Sequence, residues 1–148
     1  MGIWFQPWSL EEANQRGLAF ANGHMGIELT EVGPDYVQGR MPVETRTMQP
    51  AGILHGGASV LLAETLASVA ARYVVDHRRF VCVGQEINAN HVRSVRSGWV
   101  IGVARPLHLG RTSQVWDVRI SDEQARLVCV SRVTMAVLAR PSASDSAT

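Results

Sequence analysis

Apolar and polar positions follow one rhythm in the first half of this chain and another in the second. Before residue 76 the apolar residues recur at helical spacing or in short runs, and from residue 80 to 138 they alternate. Ser9 stands as a helix cap, with Glu11 and Glu12 suited to the positive end of the helix it opens. Leu10, Ala13, Gly17, Leu18 and Ala21 then recur on one face, which predicts a single amphipathic surface helix ended by Gly23. Residues 25–31 and 36–43 read as two strands around a turn at Gly33, Pro34 and Asp35. Residues 42–48 are polar and irregular and lead through Pro50 and Gly52 to a long apolar stretch. From residue 58 to 71 that stretch holds helix formers and small residues, apolar nearly all round apart from Glu64, and so predicts a helix buried on most sides.

The second rhythm predicts four strands. Residues 80–91 place Val81, Val83, Gln85, Ile87 and Ala89 on one face, and Cys82, Gly84, Glu86, Asn88 and Asn90 on the other. Residues 99–107, 112–121 and 127–138 follow, joined by separators short enough for hairpins, and short turns favour antiparallel pairing. The expected class is α+β, with a curled antiparallel sheet wrapped around the long central helix. One domain spans residues 1–140. Residues 141–148 are rich in Ser and Ala with nothing to bury, and are expected to be a disordered tail.

Composition narrows the function. The chain has 148 residues, 46% apolar and 18% charged, so it has the makings of a packed core without disulfides or metal. A net charge of +1 gives no general reason to expect nucleic acid or an anionic membrane as partner. Cys82 and Cys129 lie far apart in strand-like runs and read as buried free thiols. The first residues lack the basic start and apolar run of a signal peptide, and Gln6 argues against myristoylation at Gly2. The central apolar stretch falls short of the ~20 residues of a membrane span. A cytoplasmic protein is the expectation. His55, His91 and His108 lack the close spacing of a metal cluster, so no metal is expected.

The candidate chemistry sits at the central helix. Gly56 and Gly57 fall where it begins, leaving backbone N–H groups bare and backed by the helix dipole. Glu64 follows about two turns later on an otherwise apolar helix, where a lone carboxylate is costly unless partnered or kept for a task. Bare amides and a carboxylate together suit chemistry on a carbonyl. Plainer readings stand beside these. His55 reads also as a helix cap, Gln49 as a loop residue, Ser68 as a small packing residue, and His108 and Arg111 as turn chemistry beside Gly110.

An ordered set of motifs adds a resemblance over nearly the whole chain, from about residue 4 to 138. It comprises Met41-Pro42-Val43 before Arg46-Thr47, Gln49-Pro50, Leu54-His55-Gly56-Gly57-Ala58-Ser59-Val60, and Ala63-Glu64 with Ser68. It continues with residues 86–93, Pro106-Leu107-His108-Leu109-Gly110, and Gln114-Val115-Trp116. This set resembles the hotdog-fold acyl-CoA thioesterases, most closely the branch that acts on aromatic acyl-CoA such as hydroxybenzoyl-CoA and dihydroxynaphthoyl-CoA. The resemblance implies that Glu64 attacks the thioester or activates water, and that the Gly56 amide donates to the thioester oxygen. It implies that Gln49 and His55 lie near that oxygen, with Ser68 as a polar neighbour of Glu64. His91 and Arg93 match positions near the pantetheine and nucleotide, and Gly84, His108 and Arg111 complete the candidate substrate- and coenzyme A-binding set. It also implies no cofactor, a site built across a dimer interface, and a homo-oligomer, a dimer of dimers. Two other readings are a non-catalytic acyl-CoA-binding hotdog protein, which would gain nothing from Glu64, and a hydratase, which would want an Asp–His pair where no Asp lies between residues 36 and 75.

Overall fold

In the computed structural model, which describes residues 2–142, the chain opens with α1 (Leu10–Gly17) and α2 (Ala21–His24). The hairpin β1 (Glu28–Val32) and β2 (Val37–Pro42) follows, then a single 3-10 turn at Thr45–Thr47 and two short strands, β3 (Met48–Gln49) and β4 (Ile53–Leu54). The central helix α3 is Gly56–Val74, and the chain ends with β5 (Phe80–His91), β6 (Trp99–Leu109), β7 (Ser113–Asp122) and β8 (Leu127–Ala139). Six strands form one antiparallel sheet in the order β1-β2-β6-β7-β8-β5, and β3 pairs with β4 alone. This is the hotdog arrangement: α3 packs against β2, β5, β6, β7 and β8, so the sheet wraps it from several sides.

The distance between helix and sheet is set by glycine. Gly39 on β2 and Gly102 on β6 are directly paired across the sheet. A methyl group on either would lie 2.7 Å from a methyl of Leu66, so the fully buried Leu66 fills the hollow left by two missing side chains. Further along, the buried Gln114 of β7 accepts from the Trp116 indole N–H at 3.0 Å and donates to the Ala71 carbonyl of α3 at 3.4 Å. That bridge satisfies polar groups deep in the core and ties the middle of the sheet to the helix. At the far end of α3, the Trp8 indole stacks on Tyr73 with ring centroids 3.6 Å apart, and the Phe5 N–H donates to the Tyr73 carbonyl.

Several elements differ from what the sequence pattern predicts. The single first helix is broken: α1 stops at Gly17, Leu18 and Phe20 stay exposed, and α2 starts afresh at Ala21. The Ser9 cap holds, its hydroxyl accepting from the Glu12 N–H. Residues 42–48 are organised, not irregular: the Thr47 hydroxyl donates to the Pro42 carbonyl at 2.8 Å and accepts from the Glu44 N–H. The β3–β4 ladder turns at Gly52, whose φ of +76° suits a residue without Cβ. Arg140 is anchored, its backbone N–H donating to Arg79 and its side chain to the His77 carbonyl. The tail expected over residues 141–148 lies outside the described residues from 143 onward.

The largest difference is on β5. Gly84 pairs with Met135, but Glu86 pairs with Thr134, so Gln85 is an extra residue in a bulge. The bulge reverses the alternation. Gly84 faces inward with buried Met135, and beyond the bulge Ile87 faces inward with buried Val133. Cys82, Ile87 and Ala89 therefore pack on the core from the same face, where strict alternation had separated Cys82 and Gly84 from the other two. The described thiols are free, Cys129 buried and Cys82 half-buried, and burial pushes both above the ordinary thiol range.

The Leu66 contact generates a stability prediction. Leu66→Ala is expected to cost about 2–5 kcal/mol in denaturant unfolding, the range for emptying a buried leucine site. Adding Gly102→Ala refills part of the hollow, so the double variant is expected to lose less than the sum of the two single losses. Simple additivity would show that the two positions do not share that space.

Candidate functional site

The start of α3 presents one bare amide. His55 caps the helix: its Nδ1 accepts from the Gly57 N–H at 2.8 Å, and its carbonyl accepts from Ala58 and Ser59. Among the described residues no acceptor takes the Gly56 N–H. The accounting thus leaves Gly56, out of the first four amides, as the donor available to a ligand. The plainer reading of His55 holds in this chain, and its cap fixes the ring with Nδ1 as acceptor and Nε2 as donor. His55 lines a small cavity with Arg46, Met48 and Leu61, separate from the one that Gly56 lines.

Gly56 opens on a cavity of about 470 Å³ shared with Gln49, Ser59, His91, Val92 and Arg93. Gln49 sits on the β3–β4 hairpin, where its side-chain oxygen accepts from the Ala51 N–H at 2.6 Å. That bond orients the amide and leaves its NH2 as a donor. His91, the last residue of β5, lies over the helix start: a methyl on Gly56 would be 3.0 Å from its Nε2. A Cβ there would press on the His91 ring, which would have to give by a few tenths of an ångström. The structure thus gathers Gln49, Gly56, His91 and Arg93.

Glu64 lies elsewhere. It is half-buried on α3 and lines a second cavity of about 190 Å³ with Asn22, Leu61, Thr65, Ser68 and Val69. Its carboxylate rests on Gly84 of β5, where any side chain would collide with it. Among the described residues no hydrogen-bond donor reaches that carboxylate. The bulge at Gln85 explains the contact, since it turns Gly84 inward while keeping Ile87, Ala89 and His91 inward too. Eight residues separate Gly56 from Glu64 along α3, so their backbones are about 12 Å apart along the axis. Ser68, one turn beyond, shares the Glu64 cavity. A third cavity, about 340 Å³, continues from it past Asn22, Ser68 and Val69 to Arg16 and Arg72.

His108 and Arg111 join neither group. His108 pairs with Val115, in a row that continues through Thr134 to Glu86, on the sheet face turned away from α3. Arg111 is exposed on the hairpin beyond it. Conversely, sequence reasoning did not single out Asn22 or Arg72. Arg72 had a signal, since Glu64, Ser68 and Arg72 follow at intervals of four on one helix face. Asn22 had none, because it reaches the site only through the break between α1 and α2.

Comparison with known proteins identifies the family and agrees with the fold. Residues 51–129 match the model of the Thioesterase superfamily. The chain is 49% identical over 136 residues to the 1,4-dihydroxy-2-naphthoyl-CoA hydrolase of Escherichia coli, covering 92% of this chain and 99% of that one. It is 48% identical to the proofreading thioesterase EntH of Cronobacter turicensis, covering 92% and 98%. The crystal structure of a mutant thioesterase from Pseudomonas aeruginosa superposes with a TM-score of 0.93 at 44% identity, covering 94% of this chain and all of that one. Among the described residues no helix is long and apolar enough to cross a membrane.

The contact between Glu64 and Gly84 can be tested directly. Gly84→Ala is expected to drive the carboxylate into another rotamer or to move β5 off β8, visible in a crystal structure of the variant. An unmoved Glu64 beside an unmoved β5 would contradict the contact.

Proposed function

Because this chain belongs to the Thioesterase superfamily and is a thioester hydrolase, we propose that it cleaves an aromatic acyl-CoA to the free acid and coenzyme A, with 1,4-dihydroxy-2-naphthoyl-CoA as one candidate. Each site uses Glu64 of one subunit and the Gly56 amide of another. The observation that carries this is the separation of the two groups. An oxyanion donor must lie about 3 Å from the oxygen it stabilises, whereas Gly56 and Glu64 of one chain line different cavities.

A second copy resolves the separation. β5 is an edge of the sheet, and an edge strand invites pairing. Along each chain, Gly84 of β5 meets Glu64 and His91 of β5 meets Gly56. Two β5 strands paired antiparallel about a two-fold axis near Ile87 set Gly84 of one beside His91 of the other. The same axis passes near Val60 of α3, midway between Gly56 and Glu64, and so brings each carboxylate to the other subunit's helix start. A C2 interface of this isologous kind yields two identical sites. Pairing of two such dimers into a tetramer is part of the proposal.

In that site the Gly56 N–H and the Gln49 amide donate to the thioester oxygen and stabilise the charge that develops on it. His55 acts at one remove, by holding the Gly57 amide and the turn that aims Gly56. Glu64 either attacks the carbonyl carbon, giving an anhydride that water then opens, or takes a proton from the attacking water. Both routes add water across the C–S bond, release the acid, and let the thiolate leave with a proton. His91 and Arg93 line the larger cavity at its exposed side and receive the pantetheine arm and the nucleotide phosphates.

Glu64→Gln is expected to lower turnover by about 10²–10⁴-fold while substrate still binds. Gly56→Val, which blocks the helix start, is expected to be inactive as well. Unfolding and reassembling the two inactive variants together should restore about a quarter of wild-type turnover, because half the dimers are mixed and each carries one intact site. No recovery in dimers shown to be mixed by mass would exclude the shared site, and near-normal turnover in Glu64→Gln would exclude the acid. Arg93→Ala is expected to raise KM for acyl-CoA and to spare the matching pantetheine thioester, which lacks the nucleotide. Equal losses on both would place Arg93 outside nucleotide binding.

A further inference from the structure

The strip of α3 that carries Glu64 continues in one direction only. Glu64, Ser68 and Arg72 follow at intervals of four, and the cavity at Glu64 runs into the 340 Å³ cavity through Asn22, Ser68 and Val69, which line both. The far cavity has apolar and aromatic walls, with Phe20, Val75, Phe80 and Val81 among them, and two cations, Arg16 and Arg72. An apolar pocket with a few convergent polar groups is the form that binds a small organic group.

Of the chain's 14 arginines six are ion-paired among the described residues, and these two are among the other eight. Arg40, Arg46, Arg78, Arg105, Arg119 and Arg126 each have a carboxylate within ion-pair distance. Among the described residues, Arg16 and Arg72 have none. Arg72 is half-buried, and burial pushes its guanidinium below the ordinary range, with the positive charge of Arg16 adding to the effect. Glu12 acts on it only weakly from a distance. Two neighbouring cations on the wall of one cavity, Arg72 half-buried and Arg16 exposed at its mouth, repel one another, and an anion placed between them relieves that cost.

Given Glu64 as the acid of an acyl-CoA hydrolase, the geometry points to Arg72, with Arg16, as the receptor for an anionic oxygen on the end of the acyl group opposite the thioester. The preferred substrate is then an aryl acyl-CoA whose acid carries a second negative charge, a ring carboxylate in its simplest form. The reach fits. Glu64 and Arg72 are about 12 Å apart along the helix axis, and a helical side chain leans back toward the N-terminus, so the guanidinium approaches Ser68. The space left suits one or two fused rings. A guanidinium pairs with a carboxylate through two parallel N–H bonds, which fixes the ring's orientation relative to Glu64.

The test compares kcat/KM for benzoyl-CoA with 4-carboxybenzoyl-CoA, and for 2-naphthoyl-CoA with 6-carboxy-2-naphthoyl-CoA. The wild-type protein is expected to favour the carboxylated member of at least one pair. Arg72→Met is expected to lower that preference about 10- to 100-fold, the range carried by a hydrogen bond between charged groups. Arg72→Lys should keep part of it. Arg16→Met, at an exposed position that carries little folding risk, should lower it in the same direction. A wild-type preference for the uncharged member in both pairs, or a ratio unmoved by Arg72→Met and Arg16→Met, overturns the inference and leaves the thioesterase reading standing. No hydrolysis of any of the four overturns the aromatic acyl-CoA reading, and this inference with it.

Discussion

Leu66 in the hollow between Gly39 and Gly102 governs the rest of the molecule. Two paired glycines on neighbouring strands let α3 come closer to the sheet than any pair of side chains would allow. A helix held that close has most of its circumference covered, and the sheet must curl to cover it. Leu66 and Glu64 lie about 200° apart around the helix, yet one meets β2 and β6 while the other meets β5. The shorter arc between them is about 160°, so the sheet reaches nearly half-way round. What it leaves only half-covered is the strip through Leu61, Ser68 and Arg72, with Glu64 at its border beside β5.

The order of elements was legible because its causes are local. The apolar stretch before residue 76 and the alternation after it are direct records of a helix buried on most sides and of strands with one face on a core. Glu64 was legible for the same reason, since a carboxylate breaks an otherwise apolar helix. Gly56 was legible as a helix start, although its distinction from Gly57 needed the structure: the His55 ring takes one amide and leaves the other. The bulge at Gln85 was not legible, because both phases of β5 carry apolar and polar residues in plausible alternation. Only the register against β8 decides between them. The break between α1 and α2 was hidden by Leu18 and Ala21, which continue the helical spacing across a segment that is not helical.

Gln49, His91 and Gly84 show how distant parts of a sequence converge through α3. Gln49 arrives on a two-residue strand, and His91 and Gly84 arrive on the edge strand of the sheet. None of these contacts follows from spacing along the chain. They follow from the position of one helix, and the two glycines at Gly56 and Gly84 mark where it is approached most closely by a side chain from β5 or sends one against it. Arg72 and Arg16 belong to the same logic further along, where α1 joins the first residues of β5 in forming the wall of the groove.

The bulge at Gln85 carries a consequence for how such proteins diverge. Substitutions along β5 alter one side chain at a time and leave its neighbours on their faces. Deleting Gln85 would remove the bulge and leave Gly84, Glu86 and Ile87 opposite the same partners, so Ile87, Ala89 and His91 would stay inward. Losing a residue beyond the bulge, Asn88 for example, would turn Ala89 and His91 outward in one step. Beyond the bulge this strand is thus open to replacement and closed to insertion or loss. Two descendants of a common ancestor can differ at almost every residue of that segment and still keep its length, so the count of residues between Ile87 and the terminal histidine outlasts their identity as a record of shared origin.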